Sequence, residues 1–293
     1  MPKLRIAIVT CDRLDATKRC LESVDKMTAC DYRLSVVDNG SKEDTISYLV
    51  SLCDKKKIND LYLFGKNMGV ACGYNLALSL SDEDFFVRLD NDIVIKDPSW
   101  ANIMIDFLSQ YKEIATIGFH VWNKCPDESV HGLGGYVAFI ARSFTTGACC
   151  MLRKDTHARL GFWCEDYGLY GEEDKDFGFR VYESGMLAGY VDKKGKYIYH
   201  EHVPHTVKEI ENLRCDGNRV KSLRMFLLNK MLYKNKKRGL YMPKKYDYAV
   251  NGLKVSVKLN KNYSEMIKEI YKIGVGLEPE LKKQLQEKYN ISY

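Results

Sequence analysis

Between Phe85 and Ile95 an apolar run halts at two aspartates and then resumes: Phe85-Phe86-Val87-Arg88-Leu89-Asp90-Asn91-Asp92-Ile93-Val94-Ile95. Strands covered on both faces read as near-continuous hydrophobic runs, so this stretch predicts a buried strand ending in acid. Two bare carboxylates at such a place cost several kcal/mol each unless positive charge meets them. Asp90 and Asp92 are two apart and share one side of an extended backbone. A divalent cation relieves their repulsion, and Mg2+ and Mn2+ favour one or two carboxylates plus phosphate oxygens. The run therefore predicts a metal–diphosphate site at a strand end. Ordinary turn chemistry competes with that reading, because Asx side chains bond their own backbone. The surrounding chain decides between them.

Upstream, residues 4–10 read as a first strand. Residues 15–28 read as a helix with an apolar stripe of Ala16, Cys20, Leu21, Val24 and Met27. A second strand at 32–38 runs into Asn39-Gly40-Ser41, where Ser41 or Asp44 is placed to cap a helix toward Leu52. Residues 61–64 form a third strand, 65–73 a loop, 74–80 a helix and 85–89 a fourth strand. This alternation predicts a parallel sheet with right-handed crossovers. Such sheets bind ligands at the carboxyl ends of strands near a switch point, and Thr10, Asp38, Asn67 and Asp90 all fall at or just past those ends. No Gly-x-Gly-x-x-Gly follows the first strand and no Gly-Lys-Ser/Thr loop exists, which disfavours dinucleotide and phosphate-loop folds. Further on, the pattern predicts a helix at 100–111, a strand at 114–121 and one or two strands within 136–151. An irregular segment at 161–171, a helix at 172–185 and a short strand at 197–200 follow.

The 293 residues hold no apolar run of the roughly 18 needed to span a bilayer. Met1-Pro2-Lys3-Leu4 enters the first strand at once, leaving no room for a signal peptide. Ten cysteines include the adjacent Cys149-Cys150 and no CxxC pair, a pattern of reduced, mostly buried thiols rather than a zinc site. These features predict a cytoplasmic protein. The net charge of +6 is uneven: residues 201–293 carry 20 Lys and Arg against 10 Asp and Glu, and residues 1–200 carry 25 against 29. A slightly acidic body is followed by a basic section.

Four motifs, in order, resemble nucleotide-sugar glycosyltransferases of the GT-A fold, family 2 above all. They are Val36-Val37-Asp38-Asn39-Gly40-Ser41, Asn67-Met68-Gly69-Val70-Ala71-Cys72-Gly73-Tyr74-Asn75, Asp90-Asn91-Asp92, and Gly171-Glu172-Glu173-Asp174-Lys175-Asp176-Phe177-Gly178-Phe179-Arg180. The likeness covers about residues 4–202. It implies an α/β, Rossmann-like, mostly parallel open sheet flanked by helices. A catalytic domain would span 1–205, with a basic, mainly helical region at 206–293. It also implies a nucleotide-binding set of Thr10, Asp38, Asn67, Gly69, Asp90 and Asn91. The cofactor would be Mn2+ or Mg2+, held by Asp92 and Asp90 with a histidine from His200 or His202; His205 is a weaker third. Asp174 matches the general base, with Glu173 as the near alternate and Glu172 placed toward the acceptor. Displacement with such a base inverts the anomeric centre. The bland reading of Glu172, Glu173 and Asp174 is an acidic helix start favoured by the dipole. Trp163 and Tyr167 are candidates to stack on a sugar, with core packing as the alternative for Trp163. Arg88 reads as a partner of Asp38 or phosphate, or as half of a structural ion pair.

Lys230, Lys234, Lys236, Lys237, Arg238, Lys244 and Lys245 crowd one stretch with Tyr233, Tyr241, Tyr246 and Tyr248 between them. Such a run is either a solvated face or a surface for DNA or an anionic membrane. Leu223, Phe226, Leu227 and Met231 make an apolar helical stripe beside it. The expected donor is a nucleotide sugar, UDP by family frequency. The acceptor is a glycan or glycolipid, or alternatively a hydroxylated base in viral DNA, which would place the protein in the host cytoplasm. Peripheral membrane attachment suits the glycolipid. A non-catalytic nucleic-acid-binding module is the reading of a different class, and a nucleotidyltransferase a further enzyme alternative.

Overall fold

Every residue of β1 (Leu4–Thr10) is buried. Leu4, Ile6 and Ile8 enter one apolar cluster while Ala7 and Val9 enter another, so the strand's two faces feed two cores. In this computed structural model, residues 3–121, 130–133, 137–142, 145, 147–191, 195–201 and 219–291 are described. β1 pairs in parallel with β2 (Tyr32–Asn39) on one side and β4 (Phe85–Asp90) on the other. The chain leaves β1 through α1 (Leu14–Met27), builds β2, then crosses by α2 (Glu43–Asp54) to β3 (Asp60–Phe64). α3 (Val70–Ser79) carries it back across to β4. The strand order reverses between β1 and β4, and such reversals open a crevice at the strand carboxyl ends.

The remaining elements are β5 (Ile93–Ile95), α4 (Trp100–Gln110), β6 (Ile114–Gly118), β7 (Val130–Leu133), β8 (Val137–Arg142), β9 (Cys149–Arg153), α5 (Lys154–Leu160), α6 (Glu173–Glu183), β10 (Leu187–Tyr190) and β11 (Ile198–His200). Then come α7 (Arg219–Lys234), β12 (Tyr246–Asn251), β13 (Lys254–Leu259), α8 (Lys261–Gly276) and α9 (Glu278–Tyr289). The large sheet runs β12-β13-β3-β2-β1-β4-β9-β6-β10-β8-β7, and β5 and β11 form a separate pair. From β13 to β4 neighbours run parallel; β9 lies antiparallel to both β4 and β6.

The expected α/β layout is present, with local differences. α3 starts at Val70, inside the stretch expected as loop, because Gly69 turns the chain directly into the helix at φ 94. Neither Ser41 nor Asp44 caps α2; Lys42 holds the N-cap position, and Ser41 Oγ accepts a bond from Asp12 N (2.7 Å) instead. The strand expected at 114–121 ends at Gly118, and the segment 136–151 supplies β8 and the start of β9. The basic region adds a hairpin that the helical expectation does not contain. Gly252, first of its two loop residues, sits at φ 57, as primed hairpin turns require. β13 then pairs in parallel with β3, so the hairpin extends the sheet. A third apolar cluster joins Cys164 and Tyr167 to Leu223, Leu228, Ile270 and Leu285.

The eight described cysteines are all free, and five are buried. Among the described residues, no helix is long and apolar enough to cross a membrane.

Candidate active site

The crevice at the end of β1 and β4 is a cleft of about 200 Å³ lined by Thr10, Cys11, Arg13, Asn39, Asn67, Asp90, Asn91, Asp92, Tyr170 and His200, with Val9, Val70 and Leu169 as its apolar wall. Its floor is a polar turn. Asn91 donates to Thr10 Oγ1 and Thr17 Oγ1 (3.0 Å each), fixing the Asp90-Asn91-Asp92 turn to β1 and α1. Tyr74 OH lies 3.0 Å from Asp90 Oδ1. Burial raises the Asp90 carboxyl, Arg88 opposes the shift and Asp92 adds to it.

Asp92 meets two cationic or basic groups. Its Oδ1 is 3.4 Å from His200 Nε2 and its Oδ2 is 3.2 Å from Arg13 Nη1. The small β5–β11 sheet explains His200: Ile93, next after Asp92, pairs directly with it. Glu201 N donates to Asp92 O (3.0 Å), and Glu201 grips Arg19 of α1 at 2.5 and 2.8 Å. The local pairing thus brings His200 to Asp92. His202 and His205 lie outside the described residues. Among those described, no three His, Cys, Asp or Glu side chains form a ready cation cage. Two carboxylates and an imidazole on one cleft wall fit a cation that completes its shell from phosphate oxygens and water.

Asp38 is fully buried behind the cleft wall. Its Oδ2 accepts from Gly40 N (3.2 Å) and Ser41 N (3.1 Å), while its buried Oδ1 has no partner. Burial raises its pKa against those two bonds, and its charge is felt by the Cys11 thiol in the cleft wall. An orphaned acceptor at such depth is costly. Asn67 works within the protein: its Oδ1 accepts from Asn39 Nδ2 (3.0 Å) and Gly69 N (2.9 Å). Gly69 does not line the cleft. A Cβ there would come within 3.1 Å of Leu169 Cα, so its bare backbone lets the 168–171 loop pack down.

Beyond the cleft lies the acidic start of α6. Arg88, buried on β4, pairs with Asp174 Oδ1 at 2.5 Å and Glu173 Oε1 at 3.1 Å. Its carboxylate partners are therefore these two acids and not Asp38. Gly147 N donates to Asp174 Oδ2 (2.9 Å). Burial pushes the Asp174 carboxyl up to about 7; Arg88 and the Gly147 amide hold it down, while Glu173 and Asp90 raise it further. The side chain keeps 27% exposure, whereas Glu173 keeps 5%. Asp174 is thus the more accessible of the two.

Three expected acceptor contacts fall elsewhere. Trp163 is 3% exposed and stacks on Phe177 with a centroid distance of 5.3 Å, because its large ring fills the core under α6. Tyr167, 1% exposed, donates to Asp176 Oδ1 (2.8 Å). Glu172 is buried and pairs with Lys175 at 2.9 Å. The aromatic ring that does line the cleft is Tyr170, 41% exposed. Its hydroxyl is pushed up to about 12, first by burial and then by the charges of Asp90, Glu173 and Asp174. The sequence carried a signal for it: an aromatic residue between Gly168 and Gly171, just before the acidic helix. Arg13 had no such signal.

The basic run is not one cationic face. Arg238 is buried against Asn229 and the Tyr233 ring, Lys245 pairs with Asp166 at 3.2 Å, and Lys230 lies over the Phe179 ring. Lys234, Lys236 and Lys237 are the members that stand exposed.

Comparison with known proteins bears on the fold and the family. A curated protein named "Uncharacterized glycosyltransferase", from Rickettsia bellii (strain RML369-C), is 33% identical over 90 residues, 31% of this chain and 13% of its own length. GalNAc-T7, solved with UDP, GalNAc and Mn2+, superposes with a TM-score of 0.62 at 11% identity, covering 80% of this chain and 49% of its own. The mannosyltransferase PcManGT from Pyrobaculum calidifontis, solved with GDP-Man and Mn2+, gives 0.57 at 13% identity, covering 100% and 76%. S. aureus TarS 1–349 with UDP-GlcNAc gives 0.55 at 15%, covering 78% and 66%. The chain thus spans about half the length of GalNAc-T7 and a small part of the Rickettsia protein. At these identities the solved structures speak for the fold, which is the GT-A fold. The model of the family described as "Glycosyl transferase family 2" matches residues 5–161, more than half of the sequence, and the chain belongs to that family.

Proposed function

We propose that the protein moves a sugar from a nucleoside-diphosphate sugar to an acceptor hydroxyl in one inverting displacement. The observation that carries this reading is a single crevice lined by Asp90, Asp92, His200 and Tyr170, with Asp174 beyond it. Asp38, fully buried and outside the cleft lining, serves the donor site by holding the Gly40–Ser41 turn rather than by touching the base. Asp90, Asp92 and His200 would hold Mn2+ or Mg2+. A cation bound there supplies Lewis-acid neutralisation of the departing diphosphate. Mn2+ in the structures of GalNAc-T7 and PcManGT supports that choice of cofactor.

Asp174 takes the proton of the attacking hydroxyl. Its raised pKa gives it basicity near neutral pH, and Arg88 with Gly147 fixes its orientation. Tyr170 offers a ring face at the cleft mouth on which a sugar can lie. A glycan or glycolipid hydroxyl is the acceptor we favour. The DNA reading loses its main support because four of the seven basic side chains that suggested it are engaged within the protein.

The test is nucleoside-diphosphate release from a panel of sugar nucleotides, with Mn2+ or with EDTA. Glycan acceptors and DNA bearing hydroxymethylated bases form separate arms. Cation-dependent release stimulated by a glycan is expected, and Asp92→Ala should abolish it. Full activity in that variant removes Asp92 as a ligand, and stimulation by DNA alone reverses the acceptor choice.

A further inference from the structure

We infer that Arg13 is an exchangeable counter-ion: its guanidinium neutralises Asp92 until a divalent cation does, so the cation can enter only as Arg13 lets go. This rests on the reading of Asp92 as a metal ligand. Arg13 Nη1 stands 3.2 Å from Asp92 Oδ2 while His200 Nε2 faces the other oxygen at 3.4 Å. Both carboxylate oxygens are therefore engaged by the protein's own side chains. A carboxylate only 9% exposed needs such a partner, because a buried charge without one is unfavourable. The Arg13 side chain is 22% exposed and lines the cleft, so it has room to leave.

The backbone is built to aim this side chain. Asp12 and Arg13 both adopt φ 56, left-handed conformations that residues with a Cβ disfavour. Consecutive strain of this kind persists where the surroundings impose it, and it gathers at functional sites. Here the turn is clamped on three sides. Asp12 N donates to Ser41 Oγ (2.7 Å), Lys42 N donates to Asp12 Oδ1 (2.7 Å), and Thr10 Oγ1 donates to Asp12 O (3.1 Å). Arg13 O then accepts the first α1 bond from Thr17 N (3.0 Å). The chain thus tolerates an unfavourable turn that starts α1 from the residue pointing across the cleft at Asp92.

Two consequences follow for binding. A positive charge against a ligand oxygen repels an incoming cation and occupies its lone pairs. Cation affinity is then low in the nucleotide-free protein and rises when a donor diphosphate brings further negative charge. Cation and donor enter as coupled ligands.

The experiment is Mn2+ binding to the nucleotide-free, full-length protein, read by electron paramagnetic resonance, for the wild type, Arg13→Gln and Asp92→Asn. Arg13→Gln should bind Mn2+ roughly fivefold to tenfold more tightly, and the further gain on adding UDP should shrink. A gain of affinity is not what local damage produces. Arg13→Asn, which suits left-handed backbone, serves as the second variant and should behave alike. Unchanged or weaker Mn2+ binding in both Arg13 variants, with binding lost in Asp92→Asn, overturns the counter-ion role and leaves the metal site standing. Wild-type Mn2+ binding in Asp92→Asn removes the metal assignment and this inference with it.

Discussion

At Asp174, burial and Arg88 pull the carboxyl in opposite directions, and burial wins. A base must be deprotonated to act, so kcat/KM should climb with pH through about 7 and flatten above it. Asp174→Asn should lower kcat on the order of 10²–10⁴-fold while UDP affinity, measured by calorimetry, stays. Glu165 poses a different question. Its Oε1 accepts from Asn75 (2.7 Å), its buried Oε2 has no partner, and burial pushes its pKa up to about 7. The folded protein therefore holds a proton that the unfolded chain releases nearer 4.5. Stability from this group is full below the unfolded value and is lost as pH rises through the folded one. Thermal melts across that window should show the wild-type Tm falling with this component, and Glu165→Gln should lack it. Legibility at this scale was uneven. Asp90 and Asp92 stand out because bare acids beside an apolar run need a reason, whereas Asp174 stands out only through the resemblance of its acidic stretch to the family's motif. Arg88 could not be paired from sequence, since its partners lie far along the chain on another element.

The acidic helix α6 divides its labour along its length. Glu173 and Asp174 face Arg88, whereas Asp176 and Arg180 form a fully buried pair at 2.8 Å. Arg180 also donates to Leu160 O and Phe162 O, and Asp176 receives Tyr167 and Tyr233 hydroxyls. A buried pair with its hydrogen bonds filled holds geometry, and here it ties α6 to α7 and to the 160–162 corner. That corner makes the second tie. Phe162 N donates to Met242 O and Met242 N to Leu160 O (2.9 Å each), with Gly161 between at φ 70. A Cβ on Gly161 would meet Met242 O at 2.1 Å. Gly161→Ala should therefore destabilise by about 2 kcal/mol or more in a urea titration. The hairpin has its own sequence signal: Tyr246, Tyr248 and Val250 alternate toward Asn251-Gly252. For Trp163 the structure selects core packing over sugar stacking, because its neighbours under α6 need the ring as filling.

Across the whole molecule, the first ninety residues announced their architecture because strand and helix alternate with carboxylates at strand ends. The order reversal at β1 and β4 then opened the crevice that holds Asp90 and Asp92. What alternation does not encode is pairing between distant segments, and β13 beside β3 is such a pairing. The same region fixes Asp166 through Lys245 and Tyr263. A chain ending at Pro243 would lose both contacts and bare the β3 edge, and unpaired edges recruit other chains. It should elute as oligomers in size-exclusion chromatography at concentrations where the full chain does not. The same pairing bears on how the protein is made. β3 emerges from the ribosome well before the strand that covers it. While the segment between them is made, the nascent sheet carries an open flank, and transiently exposed strand edges are where misassembly begins. The cell's exposure to that risk is set by the time taken to translate the segment from β3 to β13, so pausing there, rather than any weakness of the finished fold, would decide the yield.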